Sequence, residues 1–276
     1  MKEMLTSVQN PLVKQLSGLK EKKIRDVTRM FLIEGVRFVE EALQAGISLR
    51  QVMYSPGLLE SERGEALLAD VMKTSAPVQP VSDKVLAHIS DTESPQGVLA
   101  ALDIPALALE GLKQELPFFL VVDGIQDPGN LGTLIRSALA SGAKGIICTR
   151  GTVDLFNPKT LRSTMGAVFK IPLVNNVDQG EAISWLREKQ IPVAVADAAG
   201  KEVYYCSVLT PPLAIVIGNE GQGPSEEFRA AAARRVSIPL QGGVESLNAA
   251  VAGSLLLFES ARQIFLETAK HPTKRA

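Results

Sequence analysis

The chain has little of what builds disulfide frameworks or metal clusters. Its 276 residues contain two cysteines and two histidines. Cys148 and Cys206 are far apart and flanked by apolar, strand-like residues, so they read as reduced, buried thiols of a cytoplasmic protein. With only His88 and His271 beside them, no metal site is expected. An excess of one charge is also missing. The 29 Lys and Arg face 30 Asp and Glu, for a formal net charge of -1, so global charge supplies no reason to expect a nucleic-acid or membrane partner. No apolar run approaches the roughly twenty residues of a membrane span. Lys2 and Glu3 stand at the N-terminus with no apolar core of signal-peptide length behind them. Neither G-x-G-x-x-G nor a Walker-type G-K-[ST] occurs, which argues against a nucleotide-dependent enzyme of the Rossmann type.

What is present is a globular composition, 46% hydrophobic and 21% charged, at a length that favours two domains of about 150 residues each. The stretch "FLIEGVRFVEEALQAG" (31–46) begins as a strand over 31–33, turns at Gly35, and continues as a helical stripe of Val36, Phe38, Val39 and Leu43 that stops at Gly46. "LRQVMYS" (49–55) and "QGVLAALD" (96–103) read as further strands of the same α/β unit. "IPALALEGLKQEL" (104–116) mixes a proline, a glycine and polar residues and reads as a linker. The expected layout is therefore an N-terminal domain over 1–105, a linker over 106–116 and a second domain over 117–276. In the second domain "FFLVVD" (118–123), "GIICT" (145–149), "VAVAD" (193–197), "LAIVIG" (213–218) and "VSIPL" (236–240) are short apolar runs without polar alternation. That is the signature of a parallel sheet covered on both faces. Residues 247–267 read as a long terminal helix.

In an open parallel sheet, ligands bind outside the carboxyl ends of strands, where loops lead into helices. Three such loops stand out. "DGIQDPGNLGTLIRSALASGA" (123–143) carries Asp127, Asn130 and Arg136 among glycines; "IVIGNEGQGPSEE" (215–227) carries Asn219 and Glu220 between Gly218, Gly221 and Gly223; "IPLQGGVESLNAAVAG" (238–253) carries Glu245, Ser246 and Asn248 after Gly242 and Gly243. Glycines let a ligand approach bare backbone. Ser246 is also a good N-cap for a helix beginning near Leu247.

Together these three loops resemble the motifs of the SPOUT class of RNA methyltransferases, in the TrmH (SpoU) family of ribose 2'-O-methyltransferases. The resemblance also takes in "FLIEGVRFVEEAL" and "TESPQGVLA" (92–100), which are similar to a small RNA-binding domain. It implies a parallel α/β catalytic domain with a trefoil knot, preceded by a smaller α/β substrate-binding domain. It implies S-adenosylmethionine as cofactor, with no metal, and methyl transfer to a ribose hydroxyl of RNA, ribosomal RNA being preferred and transfer RNA the alternative. A non-catalytic RNA-binding or ribosome-assembly protein on the same fold is the reading from a different class. By motif position, Asn130, Arg136, Glu220, Ser246 and Asn248 take catalytic roles. Arg136 would grip a phosphate or oxyanion, and Glu220 would hold Arg136 or an amide. Gly218, Asn219, Ile238, Leu247 and Ala198 would contact the cofactor, the glycines being bare because the cofactor lies against them. Ser163, Thr164 and Gly166 of "NPKTLRSTMGA" (157–167) would stand beside the pocket. The basic N-terminal run, Lys14, Lys20, Lys22, Lys23 and Arg25, would bind RNA through phosphates. Taken alone, that run and the C-terminal Lys270, His271, Lys274 and Arg275 would be no more than solvated faces. The resemblance further implies a cytoplasmic homodimer, with the apolar final helix suited to the interface.

Overall fold

The computed structural model describes residues 3–270, the side chain of Lys270 excepted; the other C-terminal basic residues named above, and Lys2, lie outside the described residues. The chain divides into two compact units. One comprises the residues up to Ala106 together with Phe156–Phe169, and the other comprises Leu107–Leu155 and the residues from Lys170 onward. The insertion of 156–169 into the first unit interrupts the uninterrupted second domain expected from sequence.

The first unit is a four-stranded sheet in the order β1 (Met30–Glu34), β4 (Val98–Asp103), β2 (Leu49–Tyr54), β3 (Val78–Pro80). β4 runs antiparallel to both β1 and β2, whereas β2 and β3 are parallel. Helices α1 (Pro11–Gly18), α2 (Lys22–Thr28), α3 (Val36–Gln44), α4 (Glu62–Met72) and α5 (Asp83–Ile89) accompany it. Their starts follow capping chemistry: Asn10, Ser61 and Ser82 each accept a first-turn N–H through the side chain. β1 alternates, burying Phe31 and Ile33 on one face, while Met30 and Leu32 of its other face pack against a core of Val13, Leu16, Met53, Val85 and Leu99. The inserted segment carries α7 (Pro158–Thr164). Its ends are clipped by ring contacts, Phe156 on Phe31 at 4.7 Å and Phe169 on Phe38 at 5.2 Å, and Arg162 pairs with Asp91 at 3.0 Å.

The second unit is a seven-stranded sheet in which every pair is parallel. Its order is β7 (Leu173–Val177), β6 (Gly145–Thr149), β5 (Phe118–Asp123), β10 (Leu213–Gly218), β8 (Val193–Ala196), β11 (Arg234–Ser237), β9 (Glu202–Val203). β5, β6 and β10 are buried at every position, as their unbroken apolar runs require. The edge strands escaped sequence detection: β7 places Asn175 and Asn176 in solvent and β9 is two residues long. Helices α6 (Pro128–Ala140), α8 (Gln179–Glu188), α9 (Glu226–Ala231) and α10 (Ala249–Lys270) complete the unit.

Three expectations are corrected here. The stretch read as a linker buries Leu109 and Leu112 in the second core with Phe119 and Trp185. A Cβ on Gly145 would come within 2.7 Å of Leu112 Cδ2, so the bare glycine leaves room for that leucine. Cys148 is buried, which pushes its thiol pKa up to about 12, but Cys206 is exposed. α10 is long and apolar enough, by length and composition, to cross a membrane. Within its unit it packs on α6 and β10, with Gly253 so close that a Cβ would meet Leu134 Cδ2 at 2.3 Å. The cap of α10 is Asn248 rather than Ser246, its Oδ1 accepting from the N–H groups of Ala250 and Val251 at 3.0 and 3.2 Å.

Candidate active site

The carboxyl ends of β10, β8 and β11 open onto a cavity of about 390 Å³. All five residues expected to contact a cofactor line it: Ala198 after β8, Gly218 and Asn219 after β10, Ile238 after β11, and Leu247 before α10. Ser163, Thr164 and Gly166 do not. They lie in the inserted segment of the first unit, where a Cβ on Gly166 would meet the Glu41 side chain at 3.0 Å.

The glycine loop after β10 has an internal reason for its bare backbone. At Gly218, φ lies outside the left-handed region, and a Cβ would stand 1.9 Å from the nitrogen of Pro224 and 2.1 Å from the carbonyl carbon of Gly223. The loop folds back over its own first residue. The room at Gly218 is therefore taken by chain, which corrects the expectation that the cofactor fills it. Asn219 likewise works inside the loop: its Nδ2 donates to the Gly124 carbonyl at 3.0 Å, and its Oδ1 accepts from the N–H groups of Gly221 and Gln222. This is a local Asx-type turn.

Glu220 joins the first and second loops. Its Oε1 accepts from the Asn130 amide at 2.9 Å and the Asp127 N–H at 3.1 Å, and its Oε2 accepts from the Gln126 N–H at 3.1 Å. Burial pushes the Glu220 carboxyl pKa up, but the donors from Asn130, Gln126 and Asp127 outweigh it and hold the group below its ordinary value. An ionised carboxylate only accepts, so the Asn130 Nδ2 must face Glu220 and its Oδ1 must face away. That oxygen takes the Asn248 Nδ2 at 2.8 Å. Asn248 in turn presents its own oxygen to the first N–H groups of α10. The three loops are thus wired as one chain of donors with a fixed direction, from the start of α10 through Asn248 and Asn130 to Glu220. Of the two partners expected for Glu220, the structure contains the amide.

Arg136 stands on the solvent face of α6, exposed, and has no hydrogen bond or ion pair among the described residues. Ser246 is exposed at the cavity edge. Asp127, noted in the sequence without a role, and two residues that sequence reasoning missed, Asp197 and Arg229, complete the surroundings. Asp127 caps α6 by accepting the Asn130 N–H at 2.8 Å, a role the Asp-Pro start of that helix signals. Asp197 lines the cavity and holds Arg235 at 2.6 Å and Arg229 at 3.6 Å. Burial raises its carboxyl pKa, but the Ala199 N–H and these guanidinium groups lower it further. Arg229 Nη2 donates to the Gln222 carbonyl at 2.8 Å, pinning the tip of the glycine loop.

The cavity suits S-adenosylmethionine on its own chemistry. Its size lies in the usual range for small-ligand sites. Ile217, Val236, Ile238, Leu240 and Leu247 give it apolar walls, and backbone groups of the glycine loop face it. Glu220 and Glu245 add carboxylates at its edge, the complement of a cationic ligand.

A parallel α/β sheet whose second and third loop motifs line one such cavity, with the first motif joined to the second through Asn130 and Glu220, defines a cofactor-dependent transferase of the SPOUT type. Residues 117–258 match the SpoU rRNA Methylase family and residues 10–100 match the MRM3-like substrate binding domain. The chain belongs to the SpoU family and is an S-adenosylmethionine-dependent RNA 2'-O-methyltransferase. It is 32% identical over 258 residues to the 23S rRNA (guanosine(2553)-2'-O)-methyltransferase RlmP of Bacillus subtilis, covering 93% of this chain and 98% of that one. Among solved structures it is similar to the AdoMet-bound rRNA methyltransferase from Sinorhizobium meliloti, with a TM-score of 0.86, 33% identity, and coverage of 95% and 98% of the two chains. It is also similar to AviRb from Streptomyces viridochromogenes in complex with AdoMet, with a TM-score of 0.86, 29% identity, and coverage of 93% and 99%.

Proposed function

We propose that the protein methylates a ribose 2'-hydroxyl of large-subunit ribosomal RNA in the cytoplasm, and that it does so as a homodimer. The observation that carries the chemistry is the directed chain Asn248, Asn130, Glu220 at the mouth of the cavity, with the unpaired Arg136 on the same first-motif helix. Bound S-adenosylmethionine supplies a methyl group already activated on a sulfonium. Ala198, Ile238, Leu247 and the backbone of Gly218 and Asn219 would hold it. The protein's remaining task is to place a hydroxyl and manage its charge, and positioning of that kind supplies much of the barrier reduction in two-substrate reactions.

Arg136 is the group for the charge. A guanidinium is effectively always protonated in proteins, so it serves as a cation rather than a base. It grips the adjacent phosphate and stabilises a developing alkoxide. Asn130 and Asn248 orient the ribose, their amides held in one sense by Glu220. Ser246, exposed beside Asn248, offers a further hydroxyl contact.

RNA affinity is assigned to the first unit. Lys14, Lys22 and Lys23 are exposed there and suit phosphate contacts. Lys20 is half-buried, with its ammonium donating to the His88 carbonyl at 3.0 Å. Arg25 belongs to the fold instead: it is 3% exposed, and its Nη1 donates to the carbonyls of Leu19 and Lys20 at 2.7 Å each. The homodimer reading is supported by α10, which leaves Val251, Phe258 and Phe265 exposed at intervals of seven residues beside a groove lined by Thr133, Tyr204 and Ser254. Light scattering on Phe258→Arg would give the monomer mass if this face is the interface, and the dimer mass if it is not.

The decisive test is transfer of labelled methyl from S-adenosylmethionine to unmodified 23S-type ribosomal RNA and, separately, to unmodified transfer RNA, followed by nuclease and alkaline digestion. Label in an alkali-resistant dinucleotide from ribosomal RNA is the expected result. Label in transfer RNA alone would overturn the substrate assignment. Bound cofactor with no transfer to either RNA would favour a non-catalytic binding protein. In the same assay, Lys22→Ala with Lys23→Ala is expected to raise the KM for RNA and leave that for the cofactor unchanged.

A further inference from the structure

We propose that Asp123 is a positioning residue for the cofactor: a buried carboxylate that fixes where the glycine loop after β10 returns to the fold. The proposal rests on the reading that the cavity beside that loop holds S-adenosylmethionine. Asp123 is the last residue of β5, paired in register with Gly218 of β10, and is 3% exposed. Its Oδ2 accepts from the Ser225 N–H at 2.7 Å. Its Oδ1 accepts from the Thr149 hydroxyl at 2.9 Å and, at 3.5 Å, from the Gln179 amide. A carboxylate is costly to bury unless donors or cations satisfy it. Among the described residues no cation pairs with Asp123, so donors do all of this, and the shortest of them comes from the glycine loop.

That donor has a defined place. The loop leaves β10 at Gly218 and lines the cavity from Asn219 through Pro224. Besides the bonds of Glu220 to the first loop, three ties hold it: Asn219 to the Gly124 carbonyl at its entry, Arg229 to the Gln222 carbonyl at its tip, and Ser225 to Asp123 at its exit. Pro224, the residue before the exit, lies against Gly218 at the limit of contact. A shift of Ser225 would therefore carry Pro224 and the cavity wall with it. Thr149, at the end of β6, orients the carboxylate so that Oδ2 points to Ser225. Asp123 touches neither the cavity nor the reacting groups and acts through the loop.

The full chain is tested as Asp123→Ala, Asp123→Asn, Thr149→Val and Leu247→Arg, with three readouts. These are S-adenosylmethionine affinity by calorimetry, amide hydrogen exchange over 221–225 in cofactor-free protein, and steady-state kinetics. For Asp123→Ala, the Kd is expected to rise about 10- to 100-fold, the cost of orphaning one buried donor. Exchange at Ser225 and its neighbours should quicken by a similar factor, while kcat at saturating cofactor stays within about 3-fold. Asp123→Asn still accepts the Ser225 N–H and can donate to the Thr149 hydroxyl oxygen, so it should restore affinity to within about 3-fold of wild type. Unchanged Kd and exchange in Asp123→Ala would overturn the proposal, as would a fall in kcat with Kd unchanged. If Asp123→Ala does not fold, Thr149→Val decides: a rise in Kd of about 3- to 10-fold supports the tie, and no change overturns it. Leu247→Arg separates this idea from the one beneath it. Wild-type affinity in Leu247→Arg would mean that the cavity is not the cofactor site at all, whereas lost binding there with normal binding in Asp123→Ala would overturn the Asp123 role alone.

Discussion

Arg136→Ala is expected to bind S-adenosylmethionine with wild-type affinity and to transfer its methyl group roughly 10²- to 10³-fold more slowly, the usual loss when one preorganised charge-stabilising donor is removed. Two observations separate the effects. Arg136 is absent from the residues lining the cavity, so the cofactor does not depend on it. It is also exposed, with no partner among the described residues, so its removal breaks nothing in the fold. Arg136→Lys keeps the charge and loses the planar fork that can grip two oxygens at once, and should recover only part of the rate. Single-turnover kinetics with saturating RNA and cofactor measure this directly, with the cofactor Kd from calorimetry as the control. Near-normal turnover in Arg136→Lys would mean that the fork is immaterial, and a loss of cofactor binding would place Arg136 in the pocket.

The parallel sheet was legible because strands buried on both faces have no polar alternation. β5, β6 and β10 begin and end where their apolar runs do. Edge strands lack that signal, since one side of each needs no neighbour; β7, with Asn175 and Asn176 at its centre, reads as a loop. The linker failed for the opposite reason. Leu109 and Leu112 do not form a run, and they are buried only by packing with residues distant in sequence such as Phe119 and Trp185. Basic residues posed a similar problem. Arg25 looks like its neighbours Lys22 and Lys23 in sequence, but the carbonyls of Leu19 and Lys20 converge on it only once the chain has turned. In the site, the cavity-lining positions were readable from motif order, whereas the wiring was not. That Glu220 selects Asn130 rather than Arg136 follows from which side of α6 faces β10, and residue types alone do not encode it. Asp123 stands at the head of the first loop, and nothing near it in sequence marks its role, because the donor it binds, the Ser225 N–H, lies about a hundred residues later.

Gly218→Ala is the substitution from which the second unit should recover least. Most glycine changes act through backbone conformation. At Gly142, with φ +86° and nothing within 4 Å of a new Cβ, alanine would cost about 1–2 kcal/mol for a left-handed residue and should leave cofactor affinity untouched. Gly218 is different in kind. A Cβ 1.9 Å from the Pro224 nitrogen lies well inside contact distance, and the atoms it meets are backbone, which cannot rotate aside. Relief requires the whole return of the loop to move outward by more than an ångström, which strains the Ser225 tie to Asp123 and displaces the cavity wall. Overpacking a well-filled site costs about 1–3 kcal/mol and sometimes more, and a backbone obstacle belongs at the upper end. At about 2–4 °C per kcal/mol for a unit of this size, melting should fall by roughly 6 °C or more, and calorimetry should detect no cofactor binding. Gly142→Ala supplies the comparison, with a smaller fall in melting temperature and intact binding. The difference between the two separates a glycine kept for its φ from one kept because another part of the chain occupies its side-chain space. If Gly218→Ala bound the cofactor normally, the close passage of Pro224 over β10 would not exist in solution.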